Sequence, residues 1–241
     1  MKTLRAAILW TVIAALTVGF GLPAIFAAYL PPRGDWFLRF ARGWARSVLA
    51  VSGISVAVLH RERLNGRGGV VVAANHESFC DILVLLATLP FQSRFLAKRS
   101  IFRVPFLGWS IAAAGFIPVD RGQRERAGSV LDRAARALAS GRSLVIFPEE
   151  TRSAAGELLP FKKGAALLAA RAGASLLPMG LAGTRAILPR GRLRMSAGHV
   201  AVSVGEPMPP GSPGKARETT ESLRERIDAL RREAGAALTD S

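Results

Sequence analysis

Gly69-Val70-Val71-Val72-Ala73-Ala74-Asn75-His76-Glu77-Ser78-Phe79-Cys80-Asp81-Ile82-Leu83-Val84-Leu85-Leu86-Ala87 is the stretch that decides the fold of this chain. Its first six residues form a short apolar run opened by glycine, the pattern of a buried strand. Its last six are apolar again, and the polar turn between them carries a histidine and an aspartate. Strand, tight turn and helix follow in that order. In an open α/β sheet, this is where sites are built. Five residues along one helix would set the two side chains roughly 140° apart. With His76 in the turn and Asp81 in the first helical turn they can converge. A carboxylate that holds one imidazole nitrogen leaves the other free as a general base.

The elements downstream repeat the alternation. Arg94-Phe95-Leu96-Ala97-Lys98 is a candidate strand, and a small-residue helix runs from Pro105 through Trp109 to Ala114. Gly115 to Arg121 reads as a short strand ending on the charged pair Asp120-Arg121. Residues 124–140 are an amphipathic helix stopped by Gly141. Leu144-Val145-Ile146-Phe147-Pro148 is a buried strand ended by proline. Phe161 to Arg171 is a helix closed by Gly173. Strands follow at 175–178 and 200–204, and a charged helix over about 218–234 presents Leu223, Ile227 and Leu230 on one face. The fold class expected is α/β, a central mixed sheet covered by helices and preceded by an N-terminal helical membrane anchor.

Upstream, no charged residue occurs from Ala6 to Leu30. Such a run is long enough to cross a hydrocarbon core of ~30 Å as a helix. It exceeds the ~7–15 residue core of a signal peptide, although Ala27-Ala28 would suit a cleavage region. Gly19, Gly21 and Pro23 leave a kinked or re-entrant hairpin open as an alternative. After the break at Pro31-Pro32-Arg33-Gly34-Asp35, the segment Trp36 to Arg46 reads as a basic amphipathic helix of interfacial composition. The arginines on that side of the run place it on the cytoplasmic face of the inner (plasma) membrane. Three parts are expected: membrane-anchoring helices over 1–64, an α/β domain over 65–212, and a linker with an amphipathic helix over 213–241.

Composition narrows the partners. The 33 Lys and Arg against 17 Asp and Glu leave a net charge of +16 and favour an anionic membrane surface or phosphorylated ligands. No nucleic-acid motif appears, so nucleic acid is not expected as a partner. Cys80 is the single cysteine and the three histidines are scattered, so neither a disulfide nor a metal site is expected.

The blocks around the opening stretch carry a resemblance. Asn75, His76, Ser78 and Asp81 match an Asn-His-x-Ser-x-x-Asp block. Gly115-Phe116-Ile117-Pro118-Val119-Asp120-Arg121 matches a glycine, an apolar run and an arginine. Phe147, Pro148, Glu149, Thr151 and Arg152 match Phe-Pro-Glu-Gly-Thr-Arg, and Leu176-Leu177-Pro178-Met179 matches a strand with an internal proline. With these blocks in this order, the chain resembles the glycerophospholipid acyltransferase family, of the lysophosphatidic acid acyltransferase type.

The resemblance implies an O-acyltransferase without a cofactor. It would take acyl-CoA or acyl-carrier protein as donor and a lysophospholipid as acceptor, among membrane lipids. His76 would remove the hydroxyl proton and Asp81 would orient it and stabilise the imidazolium, with no covalent acyl-enzyme. Arg121 and Arg152 would hold the acceptor phosphate by charge-assisted hydrogen bonds, and Lys98 would add a point charge. Thr151 belongs to the same substrate-binding block. Glu149 would fix an arginine or a main-chain amide. Asn75 and Ser78 would support the turn, Ser78 as an N-cap or a substrate contact. Cys80 reads as a small buried hydrophobe. Phe79, Trp109 and the leucines around residue 85 are candidates for an acyl groove or for core.

One residue departs from the pattern: Glu150 stands where the family carries glycine, and glycine admits close backbone approach to a ligand. The expected acceptor is lysophosphatidic acid, giving phosphatidic acid. Lyso-ornithine lipid is the alternative that Glu150 suggests. A thioester or ester hydrolase is the rival class, although no Gly-x-Ser-x-Gly elbow is present.

Overall fold

The protein is described here by a computed structural model that covers residues 2–28, 30, 34–66, 68–120, 127–153, 156–191 and 194–239. Arg121, the break at residues 31–33 and the start of the helix expected over 124–140 lie outside the described residues.

Seven strands form one mixed sheet in the order β1-β7-β6-β2-β5-β3-β4. β2 (Val71–Ala74), β3 (Ser93–Lys98), β4 (Ile117–Val119), β5 (Ser143–Ile146) and β6 (Leu176–Ala182) run parallel to one another. β7 (Gly198–Val204) is antiparallel to β6, and β1 (Ile54–Leu59) is parallel to β7. The carboxyl ends of the five parallel strands therefore share one edge. β1 lies upstream of the boundary expected at residue 65, and it is one of the two edge strands of this sheet.

The period-2 alternation of β2 sorts the two cores. Val72 and Ala74 face α2 (Asp35–Val51) and α3 (Cys80–Thr88), in a layer with Leu38, Leu49 and Val84. Val71 and Ala73 face the opposite layer, made by α5 (Ala127–Ala139), α6 (Gly164–Ala172) and α8 (Ala216–Thr239). Leu223 and Ile227 of α8 are fully buried there. α8 lies so close to β6 that a Cβ on Gly180 would collide with the main chain of Leu230 and Arg231. Only glycine permits that approach.

α1 (Lys2–Ala27) is one helix with Pro23 inside it, so the apolar run does not fold back on itself. The helical hairpin is made instead by α1 with α2. Trp44 donates from Nε1 to Thr17 Oγ1 at 3.1 Å, and Gly43 faces the ring of Phe20. Residues Ala6–Ala27 have a mean hydropathy of 2.0 and are long and apolar enough to cross a membrane, with 11% of the most apolar window buried in the protein.

α2 differs from a purely interfacial helix. Its apolar face is core, and two of its arginines reach the main chain at and after the end of α3: Arg46 donates to Ala87 O in its last turn at 3.1 Å, and Arg42 donates to Phe91 O in the loop that follows. Guanidinium groups at a helix carboxyl end satisfy orphan carbonyls and complement the dipole. Two further α-helices occur among the described residues, α4 (Leu107–Ala113) and the short α7 (Thr184–Ile187).

Arg94 pins this assembly. It is 2% exposed on β3, and its Nη2 lies 2.6 Å from Asp35 Oδ1 at the start of α2. Arg142 reaches the same oxygen at 3.1 Å. Removing one member of a buried pair strands the other charge. Asp35→Ala is therefore expected to lower the unfolding free energy by about 2–3 kcal/mol, and Asp35→Ala with Arg94→Leu to recover part of that loss. Denaturant titration of the detergent-solubilised protein checks both.

Candidate active site

β2 ends at Ala74 and α3 begins at Cys80, and the five residues between make the turn. Asn75 fastens its first end. Its Nδ2 donates to Leu181 O at 3.0 Å and its Oδ1 accepts from Leu181 N at 2.8 Å. The side chain thus extends the β2–β6 pairing by one step. Asp81 fastens the other end. Its Oδ2 accepts from His76 Nδ1 at 2.8 Å, from Glu77 N at 2.8 Å and from Ser78 N at 2.9 Å. Histidine in the turn and aspartate in the first helical turn do converge.

The imidazole lies flat on the ring of Phe147, with centroids 4.0 Å apart and planes 15° apart. Asp81 is fully buried and His76 is 9% exposed. Nδ1 is engaged by the carboxylate, while Nε2 has no hydrogen-bond partner among the described residues. That is the arrangement of a held imidazole with one nitrogen available for proton transfer.

The loop after β5 wraps the same turn. Glu150 N donates to Phe147 O at 3.0 Å, closing a β-turn with Pro148 at its second position. Glu149 Oε1 accepts from His76 N at 2.7 Å and Oε2 from Leu159 N at 2.8 Å. It fixes main-chain amides, the second of the two roles expected for it. Ser153 N donates to His76 O at 3.0 Å, so both main-chain groups of His76 are held by this loop. Glu150 adopts φ 57°, the left-handed region where glycine carries no steric cost. The glycine expected at this position thus has a backbone reason as well as a ligand one.

Other predicted residues divide. Ser78 is turned inward: its Oγ donates to Leu188 O at 2.7 Å and accepts from Cys80 N at 3.1 Å. Arg152 lies over the exposed ring of Phe79, 3.9 Å from its centroid. Lys98 is exposed at the carboxyl end of β3, on the edge that carries His76, and Thr151 is exposed in the β5 loop. Asp120 pairs with Arg99 through both carboxylate oxygens at 2.8 and 2.7 Å. Leu85 and Leu86 are core, whereas Phe79 and Trp109 are exposed.

Arg190 is a residue the sequence did not single out. Its Nη1 donates to Arg152 O at 3.2 Å. Among the described residues, neither guanidinium has a carboxylate partner. Burial, and then the charge of Arg190, hold the Arg152 guanidinium below its ordinary range, while Asp81 acts in the opposite sense. Two arginines without a carboxylate partner among the described residues, beside the His76 turn, are an arrangement suited to an anion. Nothing in the local sequence distinguishes Pro189-Arg190-Gly191 among 33 basic residues. The link is spatial, through the Ser78–Leu188 hydrogen bond.

Burial, and secondarily Asp81, push the Cys80 thiol up to about 12, which leaves it unreactive. Among the described residues, no group of His, Cys, Asp and Glu could hold a metal ion.

A family model described as Acyltransferase matches residues 55–182. A 1-acyl-sn-glycerol-3-phosphate acyltransferase of Chlamydomonas reinhardtii is 33% identical over 183 residues, 73% of this chain and 54% of that protein. One from Helicobacter pylori (strain J99) is 30% identical over 168 residues, 68% of this chain and 69% of that protein. The chain matches 54%, 40% and 39% of the lengths of three such relatives, about half or less. The crystal structure of the 1-acyl-sn-glycerophosphate (LPA) acyltransferase PlsC from Thermotoga maritima superposes with a TM-score of 0.76 at 26% identity, covering 96% of this chain and 98% of that one.

Burial is the main cause that raises the Glu149 carboxyl from 4.5 to about 7, against the two amide hydrogen bonds. As pH rises through that window the unfolded chain loses this proton first, so the folded state loses stability between about pH 4.5 and 7. In Glu149→Gln this component of the pH dependence is expected to vanish. Denaturation midpoints across pH 4–8 check it.

Proposed function

The chain belongs to the acyltransferase family, and we propose that it moves a fatty acyl group from an acyl thioester to the free hydroxyl of a lysophospholipid. Lysophosphatidic acid is the proposed acceptor and phosphatidic acid the product. The observation that carries the reading is the 2.8 Å hydrogen bond from His76 Nδ1 to Asp81 Oδ2, with Nε2 left available.

In the proposed reaction Nε2 takes the hydroxyl proton as the acceptor oxygen attacks the thioester carbonyl. The tetrahedral adduct collapses with cleavage of the carbon–sulfur bond, and the imidazolium returns its proton to the departing thiolate. Asp81 stabilises the imidazolium in between. The unreactive Cys80 supports direct transfer, since it offers no thiolate to carry the acyl group. The step so written uses neither cofactor nor metal.

Arg152 and Arg190 would seat the acceptor phosphate, with Lys98, Thr151 and Arg121 as further contacts in the same reading. α1 would hold the enzyme in a membrane, with the site at the cytoplasmic face of the plasma membrane. The competing acceptor is lyso-ornithine lipid, the alternative suggested by the negative charge of Glu150 where the family carries glycine.

A donor-by-acceptor activity matrix on the membrane fraction tests the proposal. Acyl-CoA and acyl-carrier protein are each paired with lysophosphatidic acid and with lyso-ornithine lipid. Preference for lysophosphatidic acid supports it, and preference for lyso-ornithine lipid overturns the choice of acceptor. Thioester hydrolysis at equal rates with and without acceptor overturns the transferase itself.

His76→Ala is expected to lower kcat by roughly 10³-fold while membrane binding persists. Arg190→Ala is expected to raise KM for lysophosphatidic acid about tenfold with kcat changed far less, and Arg190→Lys to restore part of it. Steady-state kinetics in mixed micelles read both.

A further inference from the structure

Beyond α1, we propose that the segment Arg99–Trp109 is a second lipid-contacting element, seated in the headgroup region of the bilayer beside the active site. This rests on the membrane-bound acyltransferase reading and adds to it a surface outside the hydrophobic anchor.

The segment turns its apolar residues outward. Val104 is 46% exposed, Phe106 72%, Leu107 49% and Trp109 63%. It is also built to hold them there. Phe106 has φ 61° and ψ −53°, and Leu107 N donates to Pro105 O at 2.7 Å, closing a three-residue turn of the strained hand. Gly108 rests on the main chain of Phe102, where any Cβ would collide. The rings of Phe106 and Trp109 meet edge to face at 5.3 Å. Backbone strain at a residue left 72% exposed is offset by little packing beyond the Trp109 ring. Strain of this kind clusters where a surface has a use.

Charge identifies the occupant. Lys98, Arg99 and Arg103 accompany these aromatics, and no Asp or Glu occurs from Ser93 to Val119. Lys98 and Arg103 are exposed, while Arg99 is paired with Asp120. Exposed aromatics interleaved with cations fit an anionic lipid surface. The surface is also joined to the anchor. Ala114, just after α4, is buried with Ala24 and Ala28 at the end of α1 and with Phe37 of α2. Leu22, Phe26 and Leu30 are exposed around that junction.

Topology supplies the consequence. Arg99–Arg103 is a 3-10 turn that follows directly on β3, at the sheet edge where β2 delivers His76 and β5 delivers Glu149. A bilayer resting on this segment therefore meets the edge that carries the site, and a lipid acceptor has a short path to it.

The test uses the full chain, reconstituted into vesicles of phosphatidylethanolamine and phosphatidylglycerol. Single cysteines are introduced by Phe106→Cys, by Val18→Cys in α1 and by Glu225→Cys on the exposed side of α8, and each is labelled with an environment-sensitive fluorophore. Cys80 is fully buried and is not expected to react. The proposal predicts that the labels at 106 and 18 shift to the blue and are quenched by nitroxide-bearing lipids, while the label at 225 is not. Quenching at 18 with a water-like signal at 106 overturns the proposal and leaves the membrane-bound reading intact. A blue shift at 106 that appears without vesicles and grows with protein concentration also overturns it, in favour of a second copy. A water-like signal at both 106 and 18 overturns the membrane reading and this proposal with it.

Discussion

A single carboxylate oxygen holds the site together. Asp81 Oδ2 accepts from the His76 ring and from the main-chain amides of Glu77 and Ser78. The two amides belong to the turn that leads into α3, so the bonds that aim the imidazole also shape the loop carrying it. Oδ1 is buried without a hydrogen-bond partner among the described residues. Such a group is costly to maintain in a purely structural role. Asn75, Glu149 and Ser153 then lock the turn from both flanking strands, β6 and β5. The histidine is therefore preorganised by main-chain geometry on three sides.

The basic excess of this chain is not one undifferentiated field. Arg46 is spent on the carboxyl end of α3, Arg42 on the loop that follows it, and Arg94 on Asp35. Those cations hold the helical hairpin to the sheet. Arg152 and Arg190 are of another kind, adjacent to each other and without a carboxylate partner among the described residues. Charge that is already compensated stabilises the fold, while charge without a carboxylate partner beside the His76 turn is what the proposed acceptor phosphate would meet.

The sequence made the sheet legible wherever short-range patterning controls the outcome. β2, β5 and β7 are apolar runs bounded by turn residues, and α3 and α8 show helical periodicity. The His76–Asp81 pair was legible because both partners belong to one local turn. What escaped was long-range. Arg94 looks like the polar start of a strand, but its carboxylate partner lies 59 residues away. Arg190 reaches Arg152 across 38 residues. Glu149 could be assigned a main-chain role but not the specific amide it holds, because that depends on β5 lying beside β2. Phe106 and Trp109 could not be distinguished from core, since composition does not say which face of a short helix is left uncovered.

The most direct measurement is the rate of acyl transfer to lysophosphatidic acid by Asp81→Asn. Its amide keeps the size of the carboxylate but presents one acceptor oxygen in place of a charged one, so the imidazolium loses its counter-charge. The account predicts a loss of roughly 10³-fold in kcat, with membrane association and the unfolding transition retained. A folded, membrane-bound Asp81→Asn enzyme that transfers within tenfold of the wild-type rate would contradict it.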